Sequence, residues 1–364
     1  MQNRRTCLDS YPTLIYTTTA RMATPNRTPT NKETGPDLSQ IYRPIRSQLI
    51  QVENILRQST RSLTPFISPI SDNIMAGGGK RIRPVLLLLS AHSCGYRGKR
   101  ATVMAAAAEL LHTATLLHDD VIDQSKHRRG RPSAHTIFGN EAAILVGDFI
   151  LVQSGNLALR NNNLNVFRPL LEVALRLVEG ELSQLAWRGE IPTVKRYISI
   201  ITKKTALFFS AVCQVGGMIA QGSKSRVQAL TDYGLNLGIA FQLIDDCLDY
   251  QSGSGETGKD WGKDLSEGKV TLPLLYALNH CPKKDQKELI HLLKNQSSVP
   301  SSPLPAQEIH HVGDLIEESG GFDYARALAK KYTQKAKDKL KRSFPWKSRR
   351  ILEALAEIAL NRKN

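Results

Sequence analysis

From about residue 38 to the end of this 364-residue chain, apolar residues recur at helical spacing, and strand-like alternation is almost absent. That period restricts the fold more than any other feature, because a stripe repeating every 3.6 residues is buried by other helices. The stretch 100–123 sets Val103, Ala107, Leu110, Ala114, Leu117 and Val121 on one face. The stretch 226–250 repeats the design with Leu230, Leu237, Phe241, Ile244 and Leu248. Further helical patterns cover roughly 40–60, 82–93, 141–160, 166–187, 194–220, 268–279, 284–294, 321–342 and 347–361. Glycine, serine and proline punctuate the chain at 77–79, 130–132, 252–255 and 297–305. With 41% hydrophobic and 23% charged residues the chain can bury a core, which excludes wholesale disorder. No uninterrupted apolar run approaches the roughly 18 residues of a membrane span, so an integral membrane protein is not expected. The chain has no P-loop, no dinucleotide fingerprint and no short tandem repeat. The expected architecture is all-α: one domain, residues 38–364, with helices packed around a central cavity.

Residues 1–37 are rich in Thr, Pro, Asn and Arg and lack apolar periodicity, so they read as a disordered leader. An organelle-targeting segment and a non-functional extension, with Met22 as an alternative start, both stay open; no apolar core of a secretory signal is present. The five cysteines (Cys7, Cys94, Cys213, Cys247, Cys281) are odd in number and form no CxxC pair. They fit a reducing compartment better than a disulfide framework. Net charge is +16, and +10 of it lies in the last 41 residues. An anionic partner is therefore expected. Nucleic acid is disfavoured, because basic–aromatic interleaving and known binding motifs are absent.

Two segments share one pattern: Asp119-Asp120-Val121-Ile122-Asp123 and Asp245-Asp246-Cys247-Leu248-Asp249 are both DDxxD at the end of a long apolar helix. If Asp is roughly 6% of residues, one match is expected by chance about 0.08 times in such a chain, so a pair is a strong signal. Positions i and i+4 share a helix face, so Asp119 projects with Asp123 and Asp245 with Asp249. Crowded carboxylates need a positive partner, and a hard divalent cation such as magnesium suits them, sharing its shell with water and phosphate. Cations flank both motifs. Gly77 to Pro84 reads GGGKRIRP, a glycine loop followed by Lys80, Arg81 and Arg83. Arg128 and Arg129 follow the first acidic motif, Lys204-Thr205 lies within a helix, and Lys259, Lys263 and Lys269 trail the second motif. Cations grouped around two metal-type clusters imply two phosphorylated groups, one held through metal and one held directly.

These motifs resemble those of the trans-type (head-to-tail) polyprenyl diphosphate synthases. The resemblance covers roughly residues 40–360 and rests on GGGKRIRP, LLHTATLLHDDVIDQSKHRRG, VGDFIL, KKTALFF, FQLIDDCLDY and GKDWGKDLSEGKVTLP, in matching order and spacing. It implies an isoprenoid-synthase-type helical bundle using Mg2+. Asp119, Asp123 and Asp245, with Asp249, would hold the metal that bridges to an allylic diphosphate. Arg128, Lys204 and Lys259 would contact that diphosphate. Lys80, Arg83, His112 and Arg129 would bind isopentenyl diphosphate directly, and Thr205 and Gln242 would face the reacting carbons. In such enzymes the allylic diphosphate departs, the isopentenyl double bond attacks the resulting cation, and the released diphosphate takes the last proton. A homodimer is implied as well. From residues alone, His112 and His118 read as ordinary helix histidines, and Asp148 as a structural hydrogen-bonder. Gly234 and Gly238 mark close packing or substrate room.

Product length is the remaining expectation. A chain growing away from Asp119 along its helix would be walled by Thr115, Ala114, Leu111 and Ala108. Short-chain members of the family carry an aromatic residue four or five positions before the first motif, where this chain has Thr115 and Ala114. A long-chain product is expected, heptaprenyl to decaprenyl with octaprenyl as the single choice, for a quinone side chain. The alternatives are a farnesyl or geranylgeranyl synthase, a non-catalytic subunit of a heteromeric synthase, and a class I terpene cyclase. A cytoplasmic location with peripheral membrane contact is expected, since the product is apolar and the tail basic.

Overall fold

A computed structural model describes residues 38–160, 163–187, 190–251, 262–298 and 304–362. Residues 1–37, expected as a disordered leader, and Lys259, expected to contact the allylic diphosphate, lie outside these residues. The described chain is helical nearly throughout, as the periodicity requires. Two long helices organise it: Lys99–Ile122, which ends at the first acidic motif, and Lys224–Gln251, which contains the second. Between them packs Leu207–Ile219, whose Phe208, Phe209, Val212, Cys213 and Val215 are all buried. Ile82–Ser93 lies against the same helix with its leucine run fully buried, and Gly321–Lys341 covers the second acidic helix.

Several glycines set how closely these helices approach. A Cβ at Gly234 would sit 2.4 Å from the Phe209 carbonyl oxygen, and one at Gly238 2.5 Å from the Ala206 Cα. Both glycines therefore serve backbone-to-backbone packing, which decides between the two readings left open for them. Gly216 meets the Leu87 carbonyl in the same way, at 2.4 Å.

Some local structure departs from the expected pattern. The turn at 127–132 is a two-stranded antiparallel ribbon pairing His127 with Pro132 and Arg128 with Arg131. Helices Ile67–Ala76 and Ala306–Glu318 were not expected, being short and set next to proline- and serine-bearing stretches, although Ile309, Val312, Leu315 and Ile316 form a buried face on the second. The apolar stretch from 268 becomes helical only at Leu272–His280, because Thr271 is extended and Pro273 favours the first turn. The stretch 194–220 is interrupted at Thr202–Ala206 by a π-helical turn, a form often found at functional sites. Two helices, Asn140–Leu159 and Val194–Ile219, are long and apolar enough to cross a membrane by length and composition alone. Runs counted without interruption miss them, because isolated polar residues barely lower the average. Of those windows 39% and 50% is buried inside the protein, so both also serve as packed helices of the bundle.

Candidate active site

Both acidic helices deliver their carboxyl ends to one cavity of about 960 Å³. Asp119 and Asp245 line it, together with Lys80, Arg83, His112 and Arg129 on one side and Lys204, Thr205 and Gln242 on another. Its far walls are apolar, formed by Leu111 and Ala114 of the first acidic helix and by Ala174, Leu177 and Leu182 of Leu164–Ala186. Thr115 also lines it. Ala108 does not: it is fully buried in the helical core, so the wall has three of its four expected members.

The cationic side begins at the glycine loop. Gly78 adopts φ +63°, and Arg81 enters the left-handed region at +46°. This turn sends Arg81 inward to pair with Glu53 at 2.6 Å and with buried Glu109 at 3.0 Å. Arg81 borders the cavity with Lys80 and Arg83, but its guanidinium is tied to these two carboxylates. The Arg83 guanidinium lies 4.8 Å from the Phe208 ring, its Nε is buried without a hydrogen-bond partner, and burial lowers its pKa to about 10. Arg129, at φ +53°, lays its guanidinium against Gly79, where a Cβ would meet Nη1 at 2.8 Å. Burial and the field of Arg83, Arg129, Arg128 and Arg81 hold the His112 imidazole well below its ordinary pKa. Burial is the larger cause of both shifts, but several guanidiniums around one neutral imidazole leave surplus positive potential, which an anion would relieve.

The acidic side has the opposite imbalance. Burial first, then Glu181, pushes Asp119 up to about 7, against the opposing pull of Lys204. Asp249 is raised well above its ordinary value by burial and by Asp264, whose backbone N–H donates to it at 3.0 Å. Asp123 caps the first helix and is held low, against its burial, by Lys269, 3.3 Å away. Lys269 also pairs with Glu267, tying the first acidic motif to the segment that follows the second. Asp245 is paired with Arg362 at 2.9 Å. Among the described residues, no three His, Cys, Asp or Glu side chains are grouped closely enough to hold a metal ion alone. The carboxylate donors fit a hard divalent cation whose shell is completed by water and phosphate. The under-compensated charge on Asp119 points the same way.

Four expected site residues have other partners or lie off the cavity lining. Arg128 turns to buried Asp120, with Nη2 2.6 Å and Nε 2.7 Å from its carboxylate, and does not line the cavity. Lys204 faces the cavity but pairs with Glu181 at 2.7 Å and donates to Gln184 at 2.7 Å. Asp123 and Asp249 lie beside the cavity wall, not on it. His118 faces the Ile144 carbonyl at 3.2 Å and Asp148 at 3.4 Å, in line with a structural role for both residues.

A polar chain missed by motif reading supports the reacting end. The Thr205 hydroxyl donates to Gln242 Oε1 at 2.8 Å, and Gln242 Nε2 donates to Asp246 Oδ1 at 2.8 Å. Tyr197, fully buried, donates to the other Asp246 oxygen. Asp246, raised to about 8 by burial and Asp264, therefore fixes the Gln242 amide, so that its oxygen meets Thr205. Only the i,i+4 spacing of Gln242 and Asp246 hinted at this; Tyr197 gave no signal.

The family profile described as polyprenyl synthetase matches residues 64–303. Octaprenyl diphosphate synthase of Haemophilus influenzae is 38% identical over 311 residues, 85% of this chain and 92% of that protein. A short chain isoprenyl diphosphate synthase of Methanothermobacter thermautotrophicus is 33% identical, covering 85% of this chain and 94% of its own. The crystal structure of a polyprenyl synthase from Caulobacter crescentus, complexed with calcium and isoprenyl diphosphate, superimposes with a TM-score of 0.85 at 33% identity, covering 92% of this chain and all of that one.

Proposed function

The chain belongs to the polyprenyl synthetase family, and from that premise we propose that it condenses isopentenyl diphosphate sequentially onto an allylic diphosphate to give a long all-trans chain, octaprenyl being the best single choice. It is a trans-prenyltransferase of all-α fold acting on prenyl diphosphates. The observation that carries the finer reading is one cavity with carboxylates at its mouth, a surplus of arginine on one side and apolar walls beyond. The octaprenyl synthase relatives support the product length, and a quinone side chain is its expected destination.

Family members use a divalent metal; magnesium is the proposed ion here, held by Asp119, Asp123, Asp245 and Asp249. Bound there, it would neutralise the departing diphosphate. The chain's own residues do the rest. Arg83, Arg129, Lys80 and neutral His112 hold the second diphosphate and Lys204 meets the first, a role that the family resemblance also gives to Lys259, outside the described residues. Arg128, paired with Asp120, acts on the acidic side at longer range. The Thr205–Gln242–Asp246 chain presents oxygens of fixed orientation toward the reacting carbons. The apolar walls exclude water from the cation, which would otherwise be quenched.

Purified chain supplied with labelled isopentenyl diphosphate, farnesyl diphosphate and magnesium should form longer diphosphates, and excess chelator should abolish the label. A hydrocarbon or alcohol product would indicate a cyclase. Inactivity alone with rescue by a related chain would indicate a subunit role.

The proposed catalytic unit is residues 38–364, cytoplasmic and peripherally attached to membrane, with targeting by the leader left open. Homodimerisation is supported by the apolar face of helices Asn140–Leu159 and Leu164–Ala186, where Leu145, Val152, Leu171 and Leu175 are all exposed. Sedimentation velocity should give twice the chain mass, and a monomer at micromolar concentration would refute it.

A further inference from the structure

The acidic motifs occupy one end of the bundle, and three helices lead away from that end to a common opposite one. Lys99–Ile122 starts about 30 Å from Asp119, at 1.5 Å per residue, and Lys224–Gln251 starts a similar distance from Asp245. The last helix, Trp346–Asn361, starts about 24 Å from Arg362, which pairs with Asp245. Their starts lie together. The Arg226 guanidinium sits 5.5 Å from the Phe344 ring, and the Ser343 hydroxyl donates to the Ser225 carbonyl at 3.5 Å. A Cβ at Gly222 would meet Cys94 Sγ at 3.1 Å, bringing the loop before Lys99 to the same place.

This end is strongly basic. Segments 92–103, 221–231 and 339–352 together hold eleven Lys/Arg and no Asp or Glu. Neighbouring Asp232, Asp338 and Glu353 pair with Lys339, Lys341 and Arg349. Eleven cations against three partnered carboxylates leave a surplus of eight. Within one of these segments stands Trp346, 60% exposed, with the Arg350 guanidinium 5.3 Å from its ring. An indole held in the open among arginines and lysines is the pairing that suits a lipid headgroup layer: the ring enters the interface while the cations meet phosphate.

We propose that the Trp346 end of the bundle docks on an anionic bilayer surface, with the acidic mouth facing the aqueous phase. The orientation follows from the cavity. Its apolar wall runs from Asp119 back through Ala114 and Leu111 toward the basic end, so a chain elongating away from the metal-type carboxylates grows toward the lipid. The inference rests on the peripheral-membrane reading above and adds the surface that makes the contact.

The test uses the full chain and vesicles of 30% phosphatidylglycerol in phosphatidylcholine at low ionic strength. Wild type should co-sediment, and the Lys347→Glu/Arg350→Glu variant should bind at least about tenfold more weakly, since each cation at the surface counts separately. Trp346→Ala should weaken binding and lose the blue shift of fluorescence that vesicles induce in wild type. Both variants should keep wild-type rates for single condensation on a soluble short primer, and lose only the stimulation of multiple turnover by vesicles. Wild-type binding with no loss in either variant would overturn this surface while leaving membrane contact intact. No wild-type binding at all would overturn both. Binding to duplex DNA in preference to vesicles at equal phosphate would reassign the patch to nucleic acid.

Discussion

Asp119→Ala and Asp245→Ala should each slow condensation by roughly four orders of magnitude, about 5–6 kcal/mol of transition-state stabilisation. Both side chains line the cavity at its carboxylate end, and each belongs to a different helix, so neither replaces the other. The fold should survive the first change. Burial and Glu181 already hold the Asp119 carboxyl near 7, so its charge is a cost to the folded state that alanine removes. Thermal unfolding of Asp119→Ala in chelator should therefore match or exceed wild type, even as activity is lost. Asp245 is itself exposed, but its partner Arg362 is only 11% exposed, so removing Asp245 should cost some stability while the Phe241 carbonyl still holds the guanidinium. Asp120→Ala gives the contrast. It strands Arg128, whose guanidinium is held at 2.6 Å by a carboxylate that is 2% exposed, so stability should fall along with rate. Incorporation of labelled isopentenyl diphosphate measures the rates. Near wild-type incorporation by Asp119→Ala or Asp245→Ala would falsify the assigned roles.

The sequence made the helices and the acidic motifs legible because both are local patterns. Helical spacing located nearly every long helix, and the paired DDxxD placed two carboxylates at one cavity. What local pattern could not carry was the partner of each charge. Asp119 and Asp123 were expected to project together at i,i+4. Asp123 keeps that relation, its N–H donating to the Asp119 carbonyl at 2.8 Å, but no local pattern showed that it would meet Lys269, 146 residues on. Arg128 follows Asp119 closely enough to reach a metal-type site, but the ribbon at 127–132 rotates it onto Asp120. Lys204 meets Glu181 and Arg362 meets Asp245 only because helices distant in sequence lie side by side. The two glycines of the second acidic helix show the same limit from the other direction. Their cost to helix propensity was visible, yet the Phe209 and Ala206 backbone that they accommodate was not.

The wall of the cavity gives the second large expected effect. Ala114→Phe should shift the longest product from heptaprenyl–decaprenyl to no longer than geranylgeranyl. Ala114 is 1% exposed yet borders the cavity, so a ring built there finds packed core around it and room only in the cavity. It must enter that space, across the path between Asp119 and Leu111. Phe208 already narrows the same cavity from Leu207–Ile219, so a second ring leaves little passage. Ala108→Phe separates this from a general packing effect. Ala108 sits one turn beyond Leu111, fully buried in the core and away from the cavity, so a ring there should overpack the bundle and cost about 1–3 kcal/mol of stability. Product length in that variant should stay near wild type. Chromatography of dephosphorylated products, with denaturant unfolding of the same preparations, reads both effects. Wild-type products ending at geranylgeranyl would defeat the long-chain reading. Products of undiminished length from Ala114→Phe would show that the chain grows along another wall, most directly that of Ala174, Leu177 and Leu182.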